Sequence, residues 1–375
     1  MKLTSVTLIA LLSAFFLSSC TKDDDAIANA STLKDEIENP EFVKILENTI
    51  SDLPENGQIA IAVIDKESTE YIGISNQNKI LKRTNNEDNI FEIGSITKVF
   101  TSICLSKLIA ANQASLTETL QDQFDFPLKE GGEINLKQLA NHTSGLPRLP
   151  NNVDEIIDFD IKDPYSNYTV DNMKSYLQNH VVLNDINSIP FEYSNTGVGV
   201  LGYLLSQKMG LTYEDMLQDL IFEPLQMTNS TTQLSNVNSS KLVKGVNENN
   251  AEVSNWNFTD VFAGTGSIKS SVKEMEKFVR KNFEDDVAYN LPQQSTFDLG
   301  EGTSIGLGWF ILEDEGFKAL FHNGATGGYN SYLVMDKSNQ RAVVIMINVS
   351  SSKEDLFYGN MITEIGNELM ESISL

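Results

Sequence analysis

The chain has 375 residues, 41% of them hydrophobic, with 52 acidic residues against 27 basic ones and a formal net charge of −25. That length suffices for a large buried core. The acidic balance excludes nucleic acid as a partner, because phosphates would be repelled, and excludes charge-driven adsorption to anionic lipid.

Residues 1–19 read as a lipoprotein signal peptide. Lys2 supplies the positive charge, Val6 to Leu17 the apolar core, and Leu17-Ser18-Ser19 the small-residue cleavage site. The run is too short to hold a chain by spanning a bilayer. Cys20, directly after Leu-Ser-Ser, resembles the lipidated cysteine of the bacterial lipobox. Thr21-Lys22-Asp23-Asp24-Asp25 resembles a surface-export signal of some Gram-negative lipoproteins. The sequence therefore predicts a monomer in the cell envelope, held at the outer membrane by lipid on Cys20. Residues 20–40 are polar and without period, as in a linker, and 41–375 make one folded domain. With Cys20 assigned to lipid, Cys104 has no disulfide partner and is expected to pack as a small hydrophobe.

Pro40 to Leu53 has the pattern of a short amphipathic helix. Gln58 to Ile64 and Glu70 to Ile74 form a hairpin around Asp65-Lys66-Glu67. From Ser95 an apolar run through Val99, Phe100, Ile103, Cys104, Leu105, Leu108 and Ile109 predicts a buried helix. The middle of the chain is mostly helical, with long polar loops near 150–170 and 228–257. Strands return at Leu307 to Leu312, Ala319 to Phe321, Tyr332 to Met335 and Arg341 to Ile347, and a helix from Lys353 to Ile373 closes the chain. The expected class is α+β, with one antiparallel sheet built from both chain ends and flanked by helices, and a helical region inserted.

At the head of the buried helix, Gly94-Ser95-Ile96-Thr97-Lys98 carries Ser-x-x-Lys. Residues three apart share a helix face, so Lys98 can reach the Ser95 hydroxyl, and serine is a poor nucleophile until a base or cation assists it. The first helical turn also presents free N–H groups where negative charge develops on oxygen. Two further stretches stand out, Phe191-Glu192-Tyr193-Ser194-Asn195-Thr196-Gly197 and Phe321-His322-Asn323-Gly324-Ala325-Thr326-Gly327-Gly328-Tyr329. Tyr193 is a phenol with a reference pKa near ~10, so it needs a neighbouring cation such as Lys98 to serve as a proton shuttle. Gly197 to Gly202 matches Gly-x-Gly-x-x-Gly. No strand precedes it, so the glycines are expected to let helices pack closely. Histidines 142, 180 and 322 lack metal-ligand spacing, and no metal or cofactor is expected. His142 is expected to fix the loop that runs to Pro147.

In order, Ser-x-x-Lys, Tyr-Ser-Asn and His-x-Gly make the chain resemble the serine β-lactamase-like hydrolases. These include class C β-lactamases, low-molecular-weight penicillin-binding proteins, D-aminopeptidases and related esterases. Leu139-Ala140-Asn141-His142-Thr143-Ser144-Gly145-Leu146-Pro147, Phe222-Glu223-Pro224-Leu225-Gln226-Met227 and Gly306-Leu307-Gly308-Trp309 extend the resemblance over about 41 to 349. It implies the β-lactamase/transpeptidase-like fold and an acyl-enzyme on Ser95. Lys98 and Tyr193 would handle protons, and Asn195 would contact Lys98 and a substrate carbonyl. The oxyanion would rest on the backbone N–H groups of Ser95 and Ala325. Asn323, Gly324, Gly327 and Gly328 would lie along bound substrate. Many β-lactamases have lysine where this chain has His322 and threonine where it has Asn323. No Glu-x-x-Leu-Asn element is present, so class A deacylation is not expected. The expected substrates are D-amino-acid peptides, with esters or β-lactams as alternatives, and a non-catalytic binding protein is the reading from another class. A His322 that titrates near ~6.5 would attract a substrate carboxylate only below neutral pH.

Overall fold

The computed structural model of the chain describes residues 29–183, 191–314, 317–350 and 357–373. Cys20, the expected signal peptide and the first part of the expected linker lie outside these residues. So do residues 353–356 of the predicted closing helix.

Among the described residues the strands are β1 (Ala30–Ser31), β2 (Gln58–Ile64), β3 (Thr69–Gln77), β4 (Ile80–Thr84), β5 (Phe91–Glu92), β6 (Gly245–Val246), β7 (Glu252–Val253), β8 (Lys269–Ser270), β9 (Phe297–Gly300), β10 (Thr303–Ile305), β11 (Phe310–Asp314), β12 (Phe317–Ala325), β13 (Asn330–Asp336) and β14 (Arg341–Ile347). Ten of them form one sheet in the order β1-β4-β3-β2-β14-β13-β12-β11-β10-β9. Strand β2 from the start of the chain pairs with β14 from its end, Ile61 opposite Ile345. The sheet is antiparallel throughout except for β1, which runs parallel to β4. The fold is α+β, with the helical region inserted between β4 and β9.

The helices are α1 (Pro40–Thr49), α2 (Thr97–Ala110), α3 (Leu136–Ala140), α4 (Val170–Ser175), α5 (Asn195–Met209), α6 (Tyr213–Leu217), α7 (Ala263–Gly266), α8 (Val272–Phe283), α9 (Val287–Asn290) and α10 (Phe357–Ser372). Successive side chains of a strand face opposite ways. In β2, Ile59, Ile61 and Val63 enter the core under α1 and α10, whereas Ala60, Ala62 and Ile64 enter the core shared with α2 and α8. Both faces are covered, which is why the strand reads as an unbroken apolar run. Helix α2 is buried on every side, and Phe100 stacks on Phe278 of α8 at 3.9 Å. Cys104 packs inside it, fully buried, as its sequence position implies.

Several boundaries differ from those the sequence suggests. Ala30 and Ser31 pair with Ile80 and Leu81, and Leu33 and Ile37 are buried, so packed chain begins inside the predicted linker. Two apolar residues four apart dock there without generating a readable period. Helix α1 ends at Thr49 rather than Leu53. Leu307 to Trp309 form a turn, with Gly308 at φ +75°, and the strand starts at Phe310. Strand β12 runs on to Ala325 and carries the His322 motif within it. Strands β4, β9 and β10 are short and poorly patterned, and sequence reading missed them.

Candidate active site

Ser95 sits in the tight turn Gly94–Ile96 that leads into α2. The Nζ of Lys98, one turn on, lies 2.9 Å from Ser95 Oγ and donates to the carbonyl of Thr265 at 2.8 Å. Lys98 is completely buried. Burial first, and then the charge of Arg148, hold its amine well below the ordinary lysine range. The carbonyl of Thr265 belongs to α7, and the glycines of α5 let α7 come that close. A Cβ on Gly199 would stand 2.6 Å from the carbonyl of Val261, and one on Gly202 would stand 3.0 Å from Gly264 Cα. The Gly-x-Gly-x-x-Gly stretch is thus a packing device that delivers a carbonyl to Lys98.

Tyr193 is half-buried just before α5. Its ring centroid is 4.9 Å from Lys98 Nζ and 5.5 Å from the Arg148 guanidinium carbon. Burial keeps the phenol above its ordinary pKa, against the opposing pull of the Ser95 hydroxyl and Arg148. The electrostatics therefore run opposite to the expectation from sequence: burial raises the Tyr193 pKa, and Lys98 is not among the groups that pull it down.

The loop 142–148 zips onto the Tyr193 segment. The His142 carbonyl accepts from Glu192 N at 2.9 Å, and its Nδ1 accepts from Ser194 N at 3.2 Å. Its ring lies on the Tyr193 ring at 4.4 Å. The Ser194 hydroxyl donates to the Pro147 carbonyl at 2.9 Å and accepts from Gly197 N, capping α5. The Arg148 carbonyl accepts from Thr196 N at 3.3 Å. Asn195 departs from its expected partner. Its Nδ2 donates to the Tyr165 hydroxyl at 2.7 Å, its buried Oδ1 has no partner, and it does not bond Lys98.

The other wall is the end of β12. Gly324 and Gly94 let this strand meet the Ser95 turn backbone to backbone. A Cβ on Gly94 would stand 2.7 Å from Ala325 N, and one on Gly324 would stand 2.9 Å from Ser95 N. The Ser331 hydroxyl donates to the Ile93 carbonyl at 2.8 Å and ties the two together. The N–H groups of Ser95 and Ala325, the expected oxyanion donors, are thereby brought to one place.

His322 is fully buried, and burial followed by the Lys98 charge lowers its pKa to about 3. Its Nδ1–H donates to the Asn323 carbonyl at 2.6 Å, which leaves Nε2 as a buried acceptor without a partner. A His322 that titrates near ~6.5, as expected from its reference pKa, does not fit this burial. Asn323 is exposed on the strand. Gly327 and Gly328 serve the protein rather than an open strand edge, because a Cβ on Gly328 would meet Gly245 Cα at 2.9 Å and one on Gly327 the Trp256 indole nitrogen at 2.5 Å. Thr265, Tyr165 and Arg148 escaped the sequence reading. Arg148 alone carried a signal, as the cation directly after the His142-to-Pro147 motif.

A model of the family described as Beta-lactamase matches residues 46–365. Protein flp of Staphylococcus aureus strain MW2 is 24% identical over 293 residues, 74% of this chain and 56% of that one, so the match spans about half of that relative. A Beta-lactamase of Escherichia coli K12 is 23% identical over 349 residues, 81% of this chain and 88% of that one. Among solved structures, a class C beta lactamase from Rhodobacter sphaeroides superposes with a TM-score of 0.71 at 17% identity, covering 90% of this chain and 100% of that one. A Beta-Lactamase/D-Alanine Carboxypeptidase from Pseudomonas syringae gives 0.67 at 17% identity, with 87% and 96% covered. The structural matches speak to the fold.

Proposed function

Because the chain belongs to the beta-lactamase family, we propose that it is a serine hydrolase that forms an acyl-enzyme on Ser95 and acts on D-amino-acid-containing peptides, as DD-carboxypeptidases and D-aminopeptidases do. The observation that carries this reading is the buried amine of Lys98, held below its ordinary pKa, 2.9 Å from Ser95 Oγ. A neutral amine has a lone pair for the serine proton. As Oγ bonds to the substrate carbonyl carbon, the proton passes to Lys98. The carbonyl oxygen becomes an oxyanion against the N–H groups of Ser95 and Ala325. Tyr193, kept as a phenol, gives its proton to the leaving amine as the scissile bond breaks and is reprotonated from the Lys98 ammonium. Water then repeats the sequence on the acyl-enzyme. The carboxypeptidase named in the Pseudomonas syringae structure supports the peptide reading. The neutral His322 favours a second reading as a carboxylesterase, since the end of β12 beside Ser95 offers no cation. β-Lactams are the third substrate class.

Labelled penicillin and a fluorophosphonate probe, with D-alanine release from an N-acylated D-Ala-D-Ala peptide, test the proposal. Label on wild type but not on Ser95→Ala, with D-alanine released, is the expected result. Label without release from any D-peptide leaves the esterase. No label on wild type leaves a binding protein that keeps the fold.

We further propose that the chain is an exported monomeric lipoprotein attached through Cys20, on the strength of Leu17-Ser18-Ser19-Cys20. Among the described residues no helix is long and apolar enough to cross a membrane. Cys20→Ala should move the protein from the detergent phase to the aqueous phase, and a variant that stays with detergent refutes the anchor.

A further inference from the structure

We propose that Arg148 is a substrate-recognition residue that takes a carboxylate near the scissile bond. The inference rests on the acyl-enzyme reading of Ser95 and names the substrates that site would prefer. Arg148 is exposed, yet its guanidinium carbon lies only 5.5 Å from the Tyr193 ring centroid. Its backbone is tied to the first turn of α5, beside Asn195, through the bond from Thr196 N. Among the described residues no carboxylate pairs with it.

The other basic groups around the site are spent. Lys98, His322 and His142 are fully buried, and burial holds each below its ordinary pKa. Lys269 is buried and donates to the carbonyls of Thr232 and Ser267. The charge of Arg148, by contrast, stands at the surface and reaches Lys98, Tyr193 and Tyr165. A guanidinium also presents a planar fork that matches a carboxylate with two parallel hydrogen bonds. A chain of net charge −25 repels anions at long range, so an anionic substrate needs a local cation at the rim of the site.

The carboxylate can come from the acyl side or from the leaving group, and matched ester pairs separate the two. 4-Nitrophenyl hemisuccinate against 4-nitrophenyl butyrate places the charge on the acyl side. 3-Carboxyphenyl acetate against phenyl acetate places it on the leaving side. The measurement is the anionic-to-neutral ratio of kcat/KM within each pair, because effects of Arg148 on Lys98 and Tyr193 cancel there. Arg148→Gln should lower one of these ratios by about fivefold, Arg148→Lys should restore part of it, and added salt should depress it in wild type but not in Arg148→Gln. Esters turned over with both ratios unchanged in Arg148→Gln overturn the assignment and leave the hydrolase standing. A wild type that turns over no ester and takes no label at Ser95 overturns both together.

Discussion

On one wall of the site, built from α2, α5 and the loop 142–148, the chemistry sits in side chains. On the other, built from the end of β12, it sits in the backbone. Lys98, Tyr193 and Asn195 project from elements whose packing fixes them, and each has a proton or a hydrogen bond to offer. At the end of β12 the His322 side chain is buried, neutral and bonded to its own chain, while Gly324 lets the strand bring the Ala325 N–H to the Ser95 turn. The helical wall should therefore fail when atoms are removed, and the strand wall when atoms are added.

The largest effects belong to the helical wall. Ser95→Ala should lower kcat by roughly 10⁶, and Lys98→Ala by nearly as much, if the residues act as one unit. Tyr193→Phe should also lose most turnover, and Lys98→Ala with Tyr193→Phe should be little worse than either alone. Steady-state rates with one activated ester measure this. Losses that multiply in the double variant would mean that the two side chains do not share a proton path.

The strand wall comes next. A Cβ at position 324 would stand 2.1 Å from the Ile93 carbonyl oxygen and 2.5 Å from the Ser331 hydroxyl, so the strand must back away from Ser95. Gly324→Ala should cost kcat roughly 10²–10³, the size of one lost oxyanion donor, and stability about 1–3 kcal/mol. Kinetics and a denaturant midpoint check both. His322→Gln should cost far less turnover than Gly324→Ala. The reverse order would place the chemistry of this wall in the imidazole after all.

The two walls also differ in how far they were legible. Ser95 and Lys98 are three residues apart, a relation fixed by helical geometry alone, and the buried run after them announced the helix. The hairpin at Gln58 and the pairing of both chain ends followed from alternation and apolar runs. The state of His322 could not be read this way, because it depends on burial by residues distant in sequence. Phe310, 5.6 Å from the imidazole, is one of them. Asn195 failed for the same reason: its partner Tyr165 lies 30 residues away in an irregular loop. The glycines at 327 and 328 were legible as glycines, but not the side of the turn on which Gly245 and Trp256 would close.

The neutral histidines make a pH prediction with a definite sign. His322 binds a proton near pH 3 in the folded chain and near ~6.5 unfolded, and His142 is also held well below its ordinary range. Below about pH 6.5 the unfolded chain therefore takes up protons that the folded chain refuses, and acid favours unfolding. Each histidine contributes a slope of about 1.4 kcal/mol per pH unit, running down toward pH 3 for His322 and absent above about pH 6.5. Denaturant midpoints from pH 7 to 4 should fall less steeply for His322→Gln than for wild type. For the same reason, the preference for carboxylate-bearing over neutral esters should be flat between pH 6 and 8. A preference that falls over that window would show a charged His322 and restore the expectation drawn from its ordinary pKa.

The smallest effect concerns Asn195, where the helical wall borrows from outside itself. Its Nδ2 is tethered to the Tyr165 hydroxyl, and Tyr165 is held in turn by stacking on Phe258 at 5.1 Å. The tether fixes the carboxamide so that the unpartnered Oδ1 is available, and a buried acceptor without a partner is costly until something donates to it. A peptide substrate has N–H groups that can do so, and a simple ester has none. Tyr165→Phe removes one hydroxyl, leaves the ring stack in place, and frees the carboxamide to rotate. One such hydrogen bond contributes about 1 kcal/mol, so KM for a peptide should rise about fivefold with little change in kcat. KM for a matched ester should move less. Equal shifts for both substrates would mean that Tyr165 supports the shape of the site and has no part in presenting Asn195.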